Sequence, residues 1–259
     1  MVHDSSSSGN TVYLEPQSVI PLGNSIAEVQ GHIFEEEQLL LAKWSALVRE
    51  NFASLQKIDK TMVHLDVALA RARYGHWLGG VPPIMKEGAD FPFSFKELRH
   101  PLLIWKHRNE QGDVVIPISL DVGPDLKVVA ITGPNTGGKT VTLKSFGLAV
   151  LMARAGLLLP CVGPASLPWC EKVLADIGDE QSLEQNLSTF SGHVLRIVNI
   201  LKAVSDQHGP VVVLLDEVGA GTDPSEGTAL AIALLRTLAD RARLTIATTH
   251  FGELKALKY

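Results

Sequence analysis

The eight residues from Gly133 to Thr140, GPNTGGKT, constrain the fold of this chain more than any other stretch. They match the pattern G-x-x-x-x-G-K-[ST] in full. They follow the apolar run KVVAIT and precede a helical pattern from Leu143 to Arg154. A phosphate-binding loop of this type needs a strand before it and a helix after it. The sequence therefore predicts a P-loop between a strand and a helix, within an α/β fold.

Each residue type in the loop has a physical role in holding phosphate. The glycines let the backbone turn so that successive N–H groups converge on an anion, and the positive end of the following helix adds to the attraction. Lys139 supplies a charge for the β- and γ-phosphates, and Thr140 supplies a hydroxyl for Mg²⁺. We therefore expect ATP and Mg²⁺ as cofactors, with the nucleotide held by Gly133, Pro134, Asn135, Thr136, Gly137, Gly138, Lys139 and Thr140.

A second motif, VVVLLDE over Val211 to Glu217, supplies the acids that ATP hydrolysis needs. Five apolar residues predict a strand buried on both faces, which places Asp216 at its carboxyl end as a second metal-side residue. Glu217, one position further, can polarise the attacking water. His250 follows the apolar run LTIATT, and on physical grounds alone it is equally compatible with an ordinary surface histidine. The two motifs together predict a Mg²⁺-dependent ATPase.

The rest of the chain divides into two patterns. From about Ser25 to Leu78, apolar residues recur at helical spacing, which predicts two long antiparallel helices or one interrupted helix. Gly-Gly and Pro-Pro pairs between 79 and 83 end this segment. Beyond it, β-branched runs alternate with helical stretches, which predicts a largely parallel sheet. The predicted strands are Val114–Leu120, Val128–Thr132, Val173–Ile177, Val211–Leu215 and Leu244–Thr248.

Composition narrows the functional classes. A net charge of −5 argues against a uniformly basic nucleic-acid surface, although a local basic patch stays compatible with it. No apolar run approaches the roughly 18 residues of a membrane span, so we expect no membrane association. Cys161 and Cys170 have neither metal-ligand spacing nor the number for a disulfide framework, which predicts two inert thiols in a reducing compartment. The expected location is a bacterial-type cytoplasm, at the nucleoid, or an organelle if a transit sequence is missing.

Several segments carry a family resemblance when they are taken in order. GPNTGGKT is followed by DIGDEQSLEQNLSTFSGH, then LLDEVGAGTDPSEGTAL, then ATTHFGELKALKY. Together they resemble the ATPase domain of the MutS family, in its MutS II branch, whose members lack the mismatch-recognition domain. The resemblance implies a P-loop NTPase domain of the ABC-ATPase type over 99–259. It also implies a helical lever segment over 11–98, and we expect a disordered start over 1–10.

The resemblance also implies roles for single residues. Asn135 would help to hold the γ-phosphate or the attacking water, and His250 would sense the γ-phosphate. Ser188 would reach the nucleotide of a second subunit, whereas the residues alone favour an ordinary N-cap of its own helix. Residues 179–181 would couple the nucleotide state to the rest of the molecule, and residues 219–222 would lie across a dimer interface.

The implied function is an ATP-dependent DNA-binding homodimer with composite ATPase sites. Hydrolysis would control a clamp on branched, mismatched or damaged DNA, in mismatch or damage handling or in the suppression of recombination. Two alternatives stay open, namely an ATPase that acts on stalled ribosomes and a truncated, non-catalytic module for nucleotide binding or dimerisation. The clamp and the nuclease-like module of the family would lie outside this chain, so we expect no nuclease activity from it.

Overall fold

The computed structural model describes residues 2–5, 12–14, 16–88, 90–133, 137–178, 186–206 and 209–250, with the backbone alone for 2–5, 12–14 and 186–190. The chain divides into one unit over Met1–Val67 and another over Ala68–Tyr259. In the first unit, strands β1 (Val2–Ser5) and β2 (Val12–Leu14) pair antiparallel. β1 lies within the start that the sequence predicted to be disordered, and its pairing with β2 satisfies backbone groups of both segments.

Two helices, α1 (Ile20–Glu50) and α2 (Phe52–Leu78), form the long helical segment. Asn51 separates them. Its N–H donates to the Leu47 carbonyl at 3.2 Å, and its own carbonyl accepts from the Leu55 N–H at 3.0 Å. Both bonds keep the four-residue spacing of an α-helix. The segment is therefore one interrupted helix, the second of the two predicted alternatives.

The second unit continues from α2 with eight strands and four helices among the described residues, and they alternate along much of the chain. They are β3 (Pro83–Lys86), β4 (Phe93–Leu98), α3 (Pro101–Asn109), β5 (Ile118–Val122), β6 (Val128–Thr132), α4 (Lys139–Arg154), β7 (Ala165–Pro168), β8 (Lys172–Asp176), α5 (Asn186–Ser205), β9 (Val211–Leu215), α6 (Pro224–Arg241) and β10 (Leu244–Thr249). The mixture of helices and strands confirms the predicted α/β class.

One sheet is parallel throughout and has the strand order β8–β9–β10–β6. All four of its strands were predicted, and their bounds differ from the prediction by at most one residue. Asp176 pairs with Leu215, and Thr132 pairs with Thr249. Because the strands run in one direction with this register, their carboxyl ends lie along one edge, where α/β proteins place their ligands.

The other sheet has the order β3–β7–β4–β5 and combines parallel with antiparallel pairs. Its strand β5 begins at Ile118, so the predicted start at Val114 is wrong. Pro117 has no N–H to donate to a strand ladder, and Val114 and Ile116 before it are exposed. Strands β3, β4 and β7 were not predicted, because β3 and β7 have four residues each and β4, with six, contains no β-branched residue.

The parallel sheet is buried on both faces. Val212 and Leu214 of β9 belong to the apolar cluster that includes α4, whereas Val211, Val213 and Leu215 belong to the cluster that includes α5 and α6. Side chains alternate between the faces of a strand, so this division confirms that VVVLL is a fully buried strand.

Among the residues that the structure describes, no helix has both the length and the hydropathy that crossing a membrane requires.

Both cysteines are free and buried in the cluster that includes α4. Burial raises the pKa of the Cys161 thiol to about 11 and that of the Cys170 thiol to about 12. The thiolate is the reactive form of cysteine. The structure therefore confirms two buried thiols without a disulfide, held in their unreactive form.

Candidate functional site

The loop after β6 has a backbone that depends on glycine. Gly133 has a φ of 151° and Gly138 a φ of 74°, conformations that a residue with a Cβ rarely adopts. Helix α4 begins at Lys139, so the N–H groups of its first turn, which have no acceptor within the helix itself, lie at the loop. Lys139 is 4% exposed, and its Nζ donates to the Gly133 carbonyl oxygen. Three predicted ligands, Pro134, Asn135 and Thr136, lie outside the described residues.

Thr140 and Asp216, the two residues predicted to face the metal, are in contact. Asp216 follows β9 directly and is buried. The Thr140 hydroxyl donates to Asp216 Oδ1 at 3.2 Å. A hydroxyl and a carboxylate are hard oxygen donors of the kind that Mg²⁺ prefers, and Mg²⁺ in nucleotide sites takes its other ligands from water and phosphate. These two residues fit that ion.

Glu217 adopts a backbone conformation that is rare for its residue type, with a φ of 51°. Its N–H donates to Thr248 Oγ1 at 2.8 Å, and its carbonyl accepts from the Ala220 N–H at 3.0 Å. The side chain is 29% exposed, and its Oε1 lies 3.3 Å from Nε2 of His250. The structure thus brings Glu217 and His250 together, next to the carboxyl ends of β9 and β10.

Thr248 is a site residue that the sequence did not single out. It is fully buried, and its hydroxyl donates to Asp216 Oδ1 at 2.5 Å while it accepts the Glu217 N–H. Its carbonyl also accepts from the Val218 N–H at 3.0 Å. A threonine near the end of an apolar run is ordinarily a strand former. Its link to both acids depends on the pairing of β9 with β10, which the sequence alone does not provide.

Asp176 is a second buried acid at the same edge and was also missed. It ends β8 and is 3% exposed, and its carbonyl accepts from the Asp216 N–H at 2.8 Å. Its carboxylate Oδ2 lies 2.8 Å from His193 Nδ1, and its Oδ1 accepts from Arg196 Nε. Arg196 Nη2 is also 3.1 Å from His193 Nδ1. The available sequence signal was an acid at the end of a predicted strand, the signal that identified Asp216.

A cavity of about 660 Å³ lies beside the loop. Gly138 and Val141 line it from the start of α4, Lys106 lines it from α3, and Val114 and Ile116 line it from the segment before β5. Ligand pockets of about 300–1,000 Å³ are typical for small molecules. The cavity is therefore large enough for a nucleoside next to the predicted phosphate-binding loop.

The remaining predicted positions are less completely described. Ser188 lies in the first turn of α5, where the structure describes the backbone only. Residues 179–181 lie outside the described part of the chain. The turn between β9 and α6 contains Gly219 and Gly221, with φ values of 84° and 85°. This turn leads from Glu217 to α6, so it begins at the edge that carries the two acids.

Comparison with known proteins gives a consistent result. Residues 129–259 match the family model MutS domain V. The whole chain is 52% identical to the Endonuclease MutS2 of Synechocystis sp., of which it covers 34%. It is 43% identical to the Endonuclease MutS2 of Geobacillus sp., covering 32% of that protein, and 44% identical over 99% of its length to that of Clostridium beijerinckii, covering 31%. The chain thus spans about a third of the length of these relatives.

Proposed function

Because this chain belongs to the MutS family, in the MutS II branch, we propose that it binds ATP with Mg²⁺ and hydrolyses it. One observation carries the proposal. Thr140, at the start of α4, meets the consecutive acids Asp216 and Glu217, after β9, at one edge of the parallel sheet next to the loop between β6 and α4. In the proposal, residues 99–259 form a P-loop NTPase domain of the ABC-ATPase type, and the helical part of residues 11–98 forms a lever segment. Strands β3 and β4, which precede residue 99, pair with β7 and β5 of the NTPase domain.

The phosphates would bind at the start of α4. The N–H groups of the loop and of the first helical turn would hold the phosphate oxygens, and Lys139 would neutralise their charge. Pro134, Asn135, Thr136 and Gly137 complete the proposed loop. Lys139 already bridges the loop to Gly133, which supports a position for its ammonium group among the converging backbone donors.

Hydrolysis would depend on the two acids after β9. Thr140 and Asp216 would hold Mg²⁺, which when bound would neutralise the charge that develops on the phosphates. Glu217 would orient and polarise the attacking water, and His250, 3.3 Å from its carboxylate, would sense the γ-phosphate. The hydrogen bond from the Glu217 N–H to Thr248 supports this role, because it holds the Glu217 backbone in an otherwise unfavourable conformation.

The nucleoside would occupy the cavity of about 660 Å³. Its lining combines the glycines of the loop with apolar side chains, including Val114 and Ile116, and these two are exposed in the chain as it stands. Burial of apolar side chains against a base is favourable. The segment before β5, predicted from sequence as a strand, would therefore serve as a wall of the nucleoside site.

The active form would be a homodimer with composite sites. In this proposal, Ser188 at the start of α5 reaches the nucleotide of the second subunit, and residues 219–222 lie at the interface. A helix start presents free N–H groups that suit an anion. ATP would then close the dimer, and hydrolysis would relax it, with residues 179–181 coupling the nucleotide state to the rest of the molecule.

We propose DNA as the partner that this cycle serves. The DNA would be branched, mismatched or damaged, and ATP hydrolysis would control a clamp around it in repair or in the suppression of recombination. The relatives are named endonucleases, but we assign ATP turnover to this chain, because the converging residues suit phosphoryl transfer from a nucleotide. The proposed setting is a bacterial-type cytoplasm, at the nucleoid.

ATP hydrolysis by the 259-residue chain, measured over a series of protein concentrations, tests the proposal. Activity should rise more steeply than linearly with protein, and light scattering should show a dimer in ATP. Glu217→Gln should lower kcat by at least about 100-fold, as expected for loss of a general base. Glu87→Gln, which removes an exposed acid after β3, should leave kcat unchanged. ATP binding without turnover or dimerisation at any concentration would contradict the proposal.

A separate binding measurement addresses the partner. Purified chain with a non-hydrolysable ATP analogue should bind branched duplex DNA more tightly than linear duplex DNA, at a stated salt concentration. Ribosomal subunits provide the comparison. Preferential binding to the subunits would replace DNA with ribosomal RNA as the partner, while the ATPase proposal would stand.

A further inference from the structure

We propose that three side chains, those of Asp176, His193 and Arg196, position the start of α5 against the two acids after β9. Here the word clamp means these three residues and not the DNA clamp. The inference rests on the proposed function, since the value of this position comes from Ser188 in the first turn of α5. None of the three residues is proposed to touch the nucleotide. They are positioning residues that act through Ser188 on one side and through Asp216 and Glu217 on the other.

The clamp is attached to the acids through the backbone. Asp176 ends β8, and its carbonyl accepts from the Asp216 N–H at 2.8 Å. This bond fixes the carboxyl end of β8 against the first residue after β9. A displacement of Asp176 along its strand would therefore move the donor residue, Asp216, whose side chain contacts Thr140.

The clamp is attached to α5 through side chains. The Asp176 carboxylate is 5% exposed and meets His193 Nδ1 at 2.8 Å, while its other oxygen accepts from Arg196 Nε. His193 and Arg196 are three residues apart on α5, so they lie on the same face of the helix. A buried carboxylate is costly unless it is paired and hydrogen-bonded. The two contacts satisfy both of its oxygens and fix the rotation of α5 at this point.

Within residues 191–205, the apolar packing of α5 is concentrated toward its second half. Within residues 191–205, the buried apolar side chains of α5 are Ile200 and Val204, both in the second half of the helix. Leu195 is 62% exposed, in the turn that contains the clamp. Within the described side chains, packing therefore anchors the second half of α5, whereas the clamp holds the turn around His193, five residues after Ser188. The position of Ser188 should accordingly depend on a few polar contacts.

A small cavity also joins the clamp to Glu217. It has a volume of about 20 Å³ and is lined by Asp176 and His193 on one side and by Asp216, Glu217 and Gly219 on the other. This volume is sufficient for a single water, which needs about 10–15 Å³ and two to four polar partners. The clamp thus forms one wall of the space beside the proposed general base. Its loss should disturb the turn at Glu217 as well as the start of α5.

Steady-state ATP hydrolysis by three variants of the 259-residue chain tests the clamp. His193→Ala removes the imidazole, and His193→Asn can return an amide near the Nδ1 position. Lys202→Ala is the matched control, because it removes an exposed polar side chain from the same helix. We expect kcat to fall about 10- to 100-fold in His193→Ala, since a displacement of about 1 Å can cost about 100-fold. KM for ATP should be unchanged, because the loop that binds the phosphates is intact.

The split between kcat and KM separates positioning from a general loss of structure. His193→Asn should recover a substantial part of kcat, and Lys202→Ala should match the unaltered chain. A wild-type kcat in His193→Ala would overturn the proposal. A parallel loss of kcat and ATP affinity would also overturn it, and so would a loss of kcat in His193→Asn equal to that in His193→Ala. Either result would show that the hydrogen bond to Asp176 is not the cause of the effect.

Amide hydrogen exchange without nucleotide gives a readout that does not need ATP turnover. Peptides from 191–199 should exchange faster in His193→Ala than in the unaltered chain, while peptides from β9 and β10 should not change. Equal exchange over 191–199 would overturn the clamp even if the ATPase is active. If the unaltered chain does not hydrolyse ATP, the proposed function and the catalytic part of this inference fail together. Faster exchange would then still support the anchoring of α5.

Discussion

Helices α4 and α5 start at the same edge of the parallel sheet but are held there by different interactions. Nine of the 16 residues of α4 are buried, including Lys139 at its start, and Gly147 allows a close approach to β9. In α5, Ile200 and Val204 are the buried residues within 191–205, and Asp176 secures the end near Ser188. Packing positions α4 along its length, whereas polar contacts hold the turn of α5 around His193. The first arrangement suits the proposed phosphate site, which would be rigid, and the second suits the proposed role of Ser188 toward another subunit.

The largest expected effect comes from α4. Lys139→Ala should weaken ATP binding by about 2–5 kcal/mol, as for other buried charged partners that are truncated. Isothermal titration with ATP and Mg²⁺ would measure it. Lys144→Ala, which removes the same charge from the same helix, should bind ATP as the unaltered chain does. Equal losses in the two variants would show that overall charge, rather than the buried position of Lys139, determines affinity.

Thr248→Val tests the hydrogen bonds that connect Asp216 and Glu217 through the Thr248 hydroxyl. These bonds lie outside both α4 and α5. Valine has a similar shape but no hydroxyl, so the Glu217 N–H and Asp216 Oδ1 each lose a partner. Leaving a buried polar group without a partner costs about 1–3 kcal/mol, so urea unfolding should show a loss of up to about 3 kcal/mol. kcat should also fall, because the Glu217 turn is no longer held. Thr248→Ser keeps the hydroxyl, and a loss in kcat equal to that of valine would contradict this explanation.

A pair of glycine variants compares the two helices directly. A Cβ at Gly147 would come within 2.3 Å of Leu214 Cδ1, whereas a Cβ at Gly192 of α5 would meet Arg196 Nη1 at an ordinary 3.6 Å. Gly147→Ala should therefore destabilise the chain by at least about 1 kcal/mol through overpacking. Gly192→Ala should be neutral or stabilising by up to about 1 kcal/mol, because alanine favours the helix. Urea unfolding of both variants measures the difference, and equal effects would remove the proposed contrast in packing.

The smallest expected effect is on the reactivity of Cys161 and Cys170, the two buried thiols of the apolar cluster that includes α4. Burial raises their pKa values to about 11 and about 12, so at pH 8 about one thiol in 1,000 or fewer is a thiolate. A thiol reagent should react slowly with the folded chain and rapidly after unfolding in urea. Because unfolding releases protons above the usual thiol pKa of 9.0, the thiols lower stability as the pH rises from about 9 to about 12. Rapid labelling of the folded chain would show that this core opens readily.

The parallel sheet and its phosphate loop were predictable because their signals are local. VVVLL is apolar at every position, and GPNTGGKT contains its glycines, lysine and threonine within eight residues. Periodicity and spacing report such features directly. The second sheet was not predictable in the same way. Strands β3 and β7 have four residues each, and β4 contains no β-branched residue. The start of β5 depends on Pro117, which interrupts the apolar run from Val114 to Leu120.

The candidate site divides along the same line. Two short motifs of consecutive residues predict four of its members, which are Lys139, Thr140, Asp216 and Glu217. Thr248 and the partnership of Asp176 with His193 and Arg196 do not follow, because each joins residues that lie far apart or on different elements. An acid, histidine or threonine outside a motif has many possible hydrogen-bond partners. The sequence alone does not show which of them it contacts in the folded chain.

The sequence by itself therefore determined the class of fold and the bounds of the four parallel strands, and it predicted the residues of the phosphate loop. These depend on local hydrophobic pattern and on backbone conformations that only glycine adopts readily. The tertiary structure decided which side chains meet at the carboxyl edge of the sheet. That outcome depends on strand order and register, which place Asp176, Asp216 and Thr248 on neighbouring strands only after the chain has crossed the sheet. Contacts of this kind are long-range, so no short stretch of sequence contains them.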